Sequence, residues 1–147
     1  MKYYLFIMIA LTLQACNNNK QAEQDLQKQV IAKHDSIMTN MDLLMLNKSK
    51  LNKISENLNL LKSKEPTLDT FDLKQNITNA KASLIATDDA MMNWMNNFNP
   101  DYTGKSHQEI LDYLNNQKVK IDAVEKAFNQ SISNSNSIIL KYNHEEF

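Results

Sequence analysis

Apolar residues recur along this chain at spacings of three, four and seven, the repeat of one helix face. Val30, Ile37, Met41, Leu44, Leu51, Ile54, Leu58 and Leu61 form the first such stripe. They predict a single helix from about Gln24 to Lys62, with no Gly or Pro inside it. Ser63-Lys64-Glu65-Pro66-Thr67 ends it, because Pro66 lacks an amide proton and forces its predecessor out of helical geometry. A second stripe of Leu73, Ile77, Ala80, Leu84, Met91, Met95 and Phe98 predicts a helix from about Asp69 to Phe98. Asp69 or Thr70 can cap its first amides. Asn99-Pro100-Asp101-Tyr102-Thr103-Gly104 then breaks the pattern. Ser106-His107-Gln108-Glu109 reads as a capping box that opens a third helix, to about Lys141. Its stripe is Ile110, Leu114, Ile121, Val124, Phe128, Ile132, Ile138 and Tyr142, interrupted by Gln117, Ser131 and Ser135. The two serines predict looser packing near the end of that helix.

Short connections make consecutive helices antiparallel. The expected fold is all-α, an up-down-up antiparallel three-helix bundle with long helices and coiled-coil-like packing. One Gly and two Pro among 147 residues leave too few breakers for a turn-rich β fold.

The first residues carry a different pattern. Lys2 supplies a positive charge, and Tyr3 to Leu13 is apolar except for Thr12. That run is too short to span a bilayer as a helix, which takes about 20 residues, and fits a secretory signal. Leu13-Gln14-Ala15-Cys16 resembles a bacterial lipobox, in which the cysteine is lipidated and becomes the first residue after cleavage. Leu13 and Ala15 fit that pattern; Gln14 stands where a small residue is usual. The expected organisation is a signal peptide at 1–15, a lipidated Cys16 with a flexible polar tether to 25, and a helical domain at 26–147. By resemblance to lipoprotein sorting rules, the lack of Asp at position 17 implies the outer membrane, and the expected location is the cell envelope. Lys20-Gln21-Ala22-Glu23 loosely resembles a surface-export signal of Bacteroidota lipoproteins.

Charge and cysteine content narrow the function classes. The net charge is -1 and all 16 basic residues are Lys, so nothing favours nucleic acid as a partner. A single Cys excludes an internal disulfide and any zinc site with two thiolates. No phosphate loop or nucleophile elbow is present, and Asp88-Asp89, being adjacent on a helix, point apart. The chain reads as a non-enzyme whose partners are a membrane, through its lipid, and another protein or a second copy of itself.

The informative side chains are methionines. Met38, Met41 and Met45 follow His34, and Met91, Met92 and Met95 surround Trp94. Folding the first hairpin so that Lys62 meets Asp69 or Thr70 makes residues whose numbers sum to about 131 or 132 level. His34 then faces Phe98, Met38 faces Trp94, and Met41 faces Met91. The first reading of this layer is core packing, since Met fills irregular gaps beside aromatic rings. The alternative is a Cu(I) site, with copper held by thioethers and imidazole from His34, Met38, Met41, Met91, Met92 and Met95 and with the Trp94 indole against the ion.

The segments His34-Asp35-Ser36-Ile37-Met38 and Asp89-Ala90-Met91-Met92-Asn93-Trp94-Met95, followed by Phe98-Asn99-Pro100-Asp101-Tyr102, resemble a group of small Bacteroidota lipoproteins. Members often carry the label "viral A-type inclusion protein", which reflects generic coiled-coil similarity. The resemblance covers most of the chain after Cys16. It implies a helical, lipid-anchored protein and brings no catalytic residues with it.

Overall fold

The computed structural model describes the backbone of residues 2–142 and the side chains of residues 19–142. The described residues form five helices and no strand: α1 (Lys2–Met38), α2 (Asp42–Glu56), α3 (Leu58–Lys64), α4 (Thr70–Asn97) and α5 (His107–Tyr142). Helix α5 packs on α1, α2 and α4, while α4 also packs on α2 and α3. No helix among the described residues is long and apolar enough to cross a membrane.

Where one helix is expected from Gln24 to Lys62, the structure has three in series. Tight turns at 39–41 and at Asn57 divide them. At the first break the amides of Asn40 and Met41 bond three residues back, to Ile37 and Met38. Thr39 Oγ1 donates to the Asp35 carbonyl at 2.8 Å, and Asn40 Nδ2 to the Ser36 carbonyl at 3.1 Å. Asn40 thereby takes with its side chain the Ser36 carbonyl that its own amide would bond in a continuous helix, whereas the Asp35 carbonyl keeps the Thr39 amide as well.

The apolar stripe nonetheless continues across the first break. Val30, Ile37, Leu44 and Leu51 are each at most 3 % exposed and sit seven residues apart. A straight α-helix drifts by about 20° per heptad, and turns of three residues overwind the chain enough to correct that drift. Residues 17–25, expected as a flexible tether, lie within α1 instead. There Glu23 accepts a contact from α5, and Leu26 and Gln27 are half-buried.

Helix α4 begins where Asp69 accepts from the amides of Phe71 and Asp72. This side chain satisfies two of the four amides left open at a helix start. The capping box at Ser106 also forms. Its amide donates to the Glu109 carboxylate at 2.8 Å, and its hydroxyl lies 2.7 Å from the same oxygen. That bonding to Ser106 holds the Glu109 carboxyl below its ordinary value.

Leu44, Leu84 and Ile121 all lie in one core with Ile77, Met91 and Phe128. The third stripe needs one correction: Ile139 is buried where Ile138 was expected, and Ile138 and Ile132 only pack against the core edge. Met95 and Phe98 likewise flank the core rather than fill it.

Serine does not loosen the end of α5, contrary to expectation. Ser131 and Ser135 are both fully buried. Their hydroxyls bond back to the Phe128 and Ser131 carbonyls. Asn47 of α2 then donates to Ser135 Oγ at 2.8 Å and to Asn136 Oδ1 at 2.9 Å. Small side chains let the helices approach, and each buried polar group there has a partner.

Candidate functional site

An aromatic ladder crosses the molecule where α1, α4 and α5 meet the segment joining α4 to α5. His34 stacks on Trp94 with ring centroids 5.5 Å apart, and Trp94 stacks on Phe98 at 5.0 Å. Phe98 meets Tyr113 at 6.2 Å, and Tyr113 meets Tyr102 edge-on at 6.0 Å. Trp94 and Phe98 are neighbours because they lie four residues apart on one helix face. Tyr113 also accepts the Asn99 amide at 2.7 Å, which fixes the start of the loop.

Two groups in this ladder lack partners. The Trp94 Nε1–H and the Tyr102 hydroxyl are buried and make no hydrogen bond. A buried polar group left unpaired costs about 1–3 kcal/mol. Burial, and then the charges of Tyr113 and Glu23, push the Tyr102 hydroxyl above its ordinary pKa. Beside it, His107 Nδ1 lies 2.6 Å from Glu23 Oε1, both side chains being about a quarter exposed.

The structure brings His34 to Trp94 but does not gather the thioethers around them. Met91 is fully buried, whereas Met38 is 39 % and Met92 48 % exposed. Met41 and Met95 are half-buried against the core. Met91 and Met92 diverge because neighbouring helical residues lie about 100° apart. His34 itself bonds to Asp35 at 2.9 Å. Among the described residues, no cluster of three or more His, Cys, Asp or Glu could hold a metal ion. The Cys16 side chain lies outside the described residues.

The level of the layer also differs from expectation. His34 meets Trp94, one turn nearer the hairpin than the expected Phe98. Asp69 in the connection is extended. An extended residue rises about 3.3 Å against 1.5 Å in a helix, so α4 starts lower than a residue count implies.

Thr87, which the second apolar stripe passes over, and Gln117, expected as a polar interruption of the third, complete this region. Thr87 and Gln117 are each only 3 % exposed. Both stand at core spacing, three residues after Leu84 and Leu114, and that spacing is the signal that finds them. On the far side of α1, Lys33 binds Glu125 at 2.7 Å and Asp122 at 3.5 Å. The Glu125 contact raises the Lys33 pKa, and Lys118 lowers that of Asp122.

Searches against protein-family models, curated proteins and solved structures find no match to this chain.

Proposed function

We propose that this chain is a lipid-anchored helical protein of the bacterial cell envelope, with a structural or protein-binding role and no catalytic one. The observation that carries the reading is the order Lys2, the apolar run Tyr3 to Leu13, and Leu13-Gln14-Ala15-Cys16, directly ahead of the stretch of α1 that packs on α5. The absence of Asp at position 17 supports an outer-membrane address. The resemblance of the His34 and Trp94 segments to small Bacteroidota lipoproteins supports the same assignment. In this reading α1 to α3 form one broken arm of an up-down-up bundle. Glu23 pairing with His107, and Lys33 with Glu125, supports α1 and α5 running in the same direction. A Cys16→Ser variant should lose labelling by fatty-acid analogues and leave the membrane fraction. Unchanged labelling removes the lipoprotein reading, since several acyl chains at about 0.8 kcal/mol per buried methylene are what would hold it.

A second reading, Cu(I) binding, is favoured by the stack of His34 on Trp94. In this reading the exposed thioether of Met38, one turn from His34, supplies a soft ligand. Titration with Cu(I) under reducing conditions should quench Trp94 in the wild type and not in His34→Ala or Met38→Leu. The leucine is near-isosteric and should cost under about 1.5 kcal/mol of stability. Equal binding by all three proteins removes this reading.

A further inference from the structure

Phe71, Thr78, Ile85 and Met92 follow one another at intervals of seven along α4. Positions seven apart drift by only about 20° around a helix, so the four share one face. That face is turned away from the core. Phe71 is 77 %, Ile85 46 % and Met92 48 % exposed, while Leu84 and Met91 beside them are buried. The packing of α4 on α2, α3 and α5 leaves this side open to water.

Charge borders the face in two blocks. Lys74 and Lys81 precede Ile85, and Asp88 and Asp89 follow it. None of these four side chains forms an ion pair or a hydrogen bond among the described residues. Lys81 stands four residues before Ile85 and Asp89 four after it. This symmetry decides what fits. Lay a second α4 antiparallel on the first, Ile85 against Ile85. Each Lys81 then comes level with Asp89 of the other copy and within one residue of its Asp88. Thr78 comes level with Met92, Lys74 with the neutral Asn96, and Phe71 with the end of the other helix. The opposite-charge contact occurs twice, once on each side of the two-fold axis. A parallel copy would instead set Lys81 against Lys81 and Asp88 against Asp88, and like charges brought together are repelled. A patch complementary to itself after a half-turn is the requirement of an isologous interface.

We propose that the outer face of α4 binds a second copy of this chain as an antiparallel pair centred on Ile85, with Lys81 facing Asp88 and Asp89 across the axis. The inference rests on the protein-binding role proposed above and names its partner; it does not depend on the lipid anchor. One helix face buries less than a standard interface, so the pair is weak and the chain is monomeric when dilute.

Sedimentation equilibrium of the full chain in density-matched detergent should show a monomer passing to a dimer between about 10 µM and 1 mM. Lys81→Glu alone, and Asp88→Lys with Asp89→Lys, should each weaken the dimer by about tenfold or more, since every cross-axis contact then joins like charges. An equimolar mixture of the two variants should regain wild-type association as a heterodimer, which a folding defect in either would prevent. In cell membranes, Ile85→Cys should give a dimer with a short bismaleimide above the background set by Cys16 alone. Val119→Cys, on the outside of α5 and 69 % exposed, should not. A monomer at 1 mM, unchanged association in Lys81→Glu, or no recovery in the mixture would overturn the proposal, as would equal cross-linking at positions 85 and 119. Adducts of Ile85→Cys with other proteins in place of the dimer would give the face to a different partner and overturn it too. Any of these leaves the Cys16 labelling test, and the lipoprotein reading, as they were.

Discussion

Glu23 of α1 and His107, the first residue of α5, meet across a 2.6 Å hydrogen bond although 84 residues separate them. The contact fastens the start of α5 to the N-terminal half of α1. It lies within the segment that composition alone marks as a tether.

Because both side chains are partly exposed, the pair should be worth only about 1 kcal/mol. Glu23→Ala should lower the melting temperature by about 2–4 °C. Combining it with His107→Ala should cost less than the sum of the two single changes. Strict additivity in that cycle would mean that the two residues do not interact.

Leu84 is 1 % exposed and Ile85, its neighbour, 46 %. Leu84→Ala should therefore cost about 2–5 kcal/mol, through lost burial and the cavity left behind. Ile85→Ala should stay within about 0.5 kcal/mol of wild type. Urea unfolding of both variants checks the face assigned to α4, and equal losses would place it wrongly.

Asp122 accepts from Lys118 at 2.7 Å, and Lys33 stands 3.5 Å away. The Lys118 hydrogen bond, with charge from both lysines, holds its carboxyl below the ordinary 3.8. Folding thus favours the ionised form, and the unfolded chain binds the proton more readily. The resulting stability is present above pH 3.8 and is lost as pH falls through the lower folded value. Asp122→Asn should flatten the acid limb of a stability–pH profile while leaving its slope at neutral pH unchanged. Asp122 is partly exposed, so the effect should shrink in high salt.

The helical class and most of the buried face are legible in the sequence, because burial selects every third or fourth residue. Val30, Ile37, Leu44 and Leu51 follow that rule through a broken backbone. The break itself is harder to read, since Asn40 is ordinary on a helix surface until its side chain takes the Ser36 carbonyl. Asn47 and Thr87 stand at core spacing but carry polar groups, so hydropathy passes over them, whereas Gln117 shows as an interruption of the third stripe. At the candidate site, the meeting of His34 with the Trp94 segment follows from hairpin geometry to within one turn. The scatter of the methionines follows from rotation about the helix axis, which sequence clustering does not resolve. The Glu23–His107 contact depends on how α1 lies beside α5, which no local pattern encodes.

The tight turn at Thr39–Met41 has a consequence for how the first arm opens. Two amides there bond across a shorter, poorer geometry, and Thr39 and Asn40 are exposed to water. Their protons should exchange with solvent long before those of Ile37 or Leu44 on either side. In hydrogen-exchange terms the arm will register as separate protected blocks joined by a fast-exchanging seam. The block bearing Glu23 and His34 can then fray from α5 while the block bearing Asn47 stays closed.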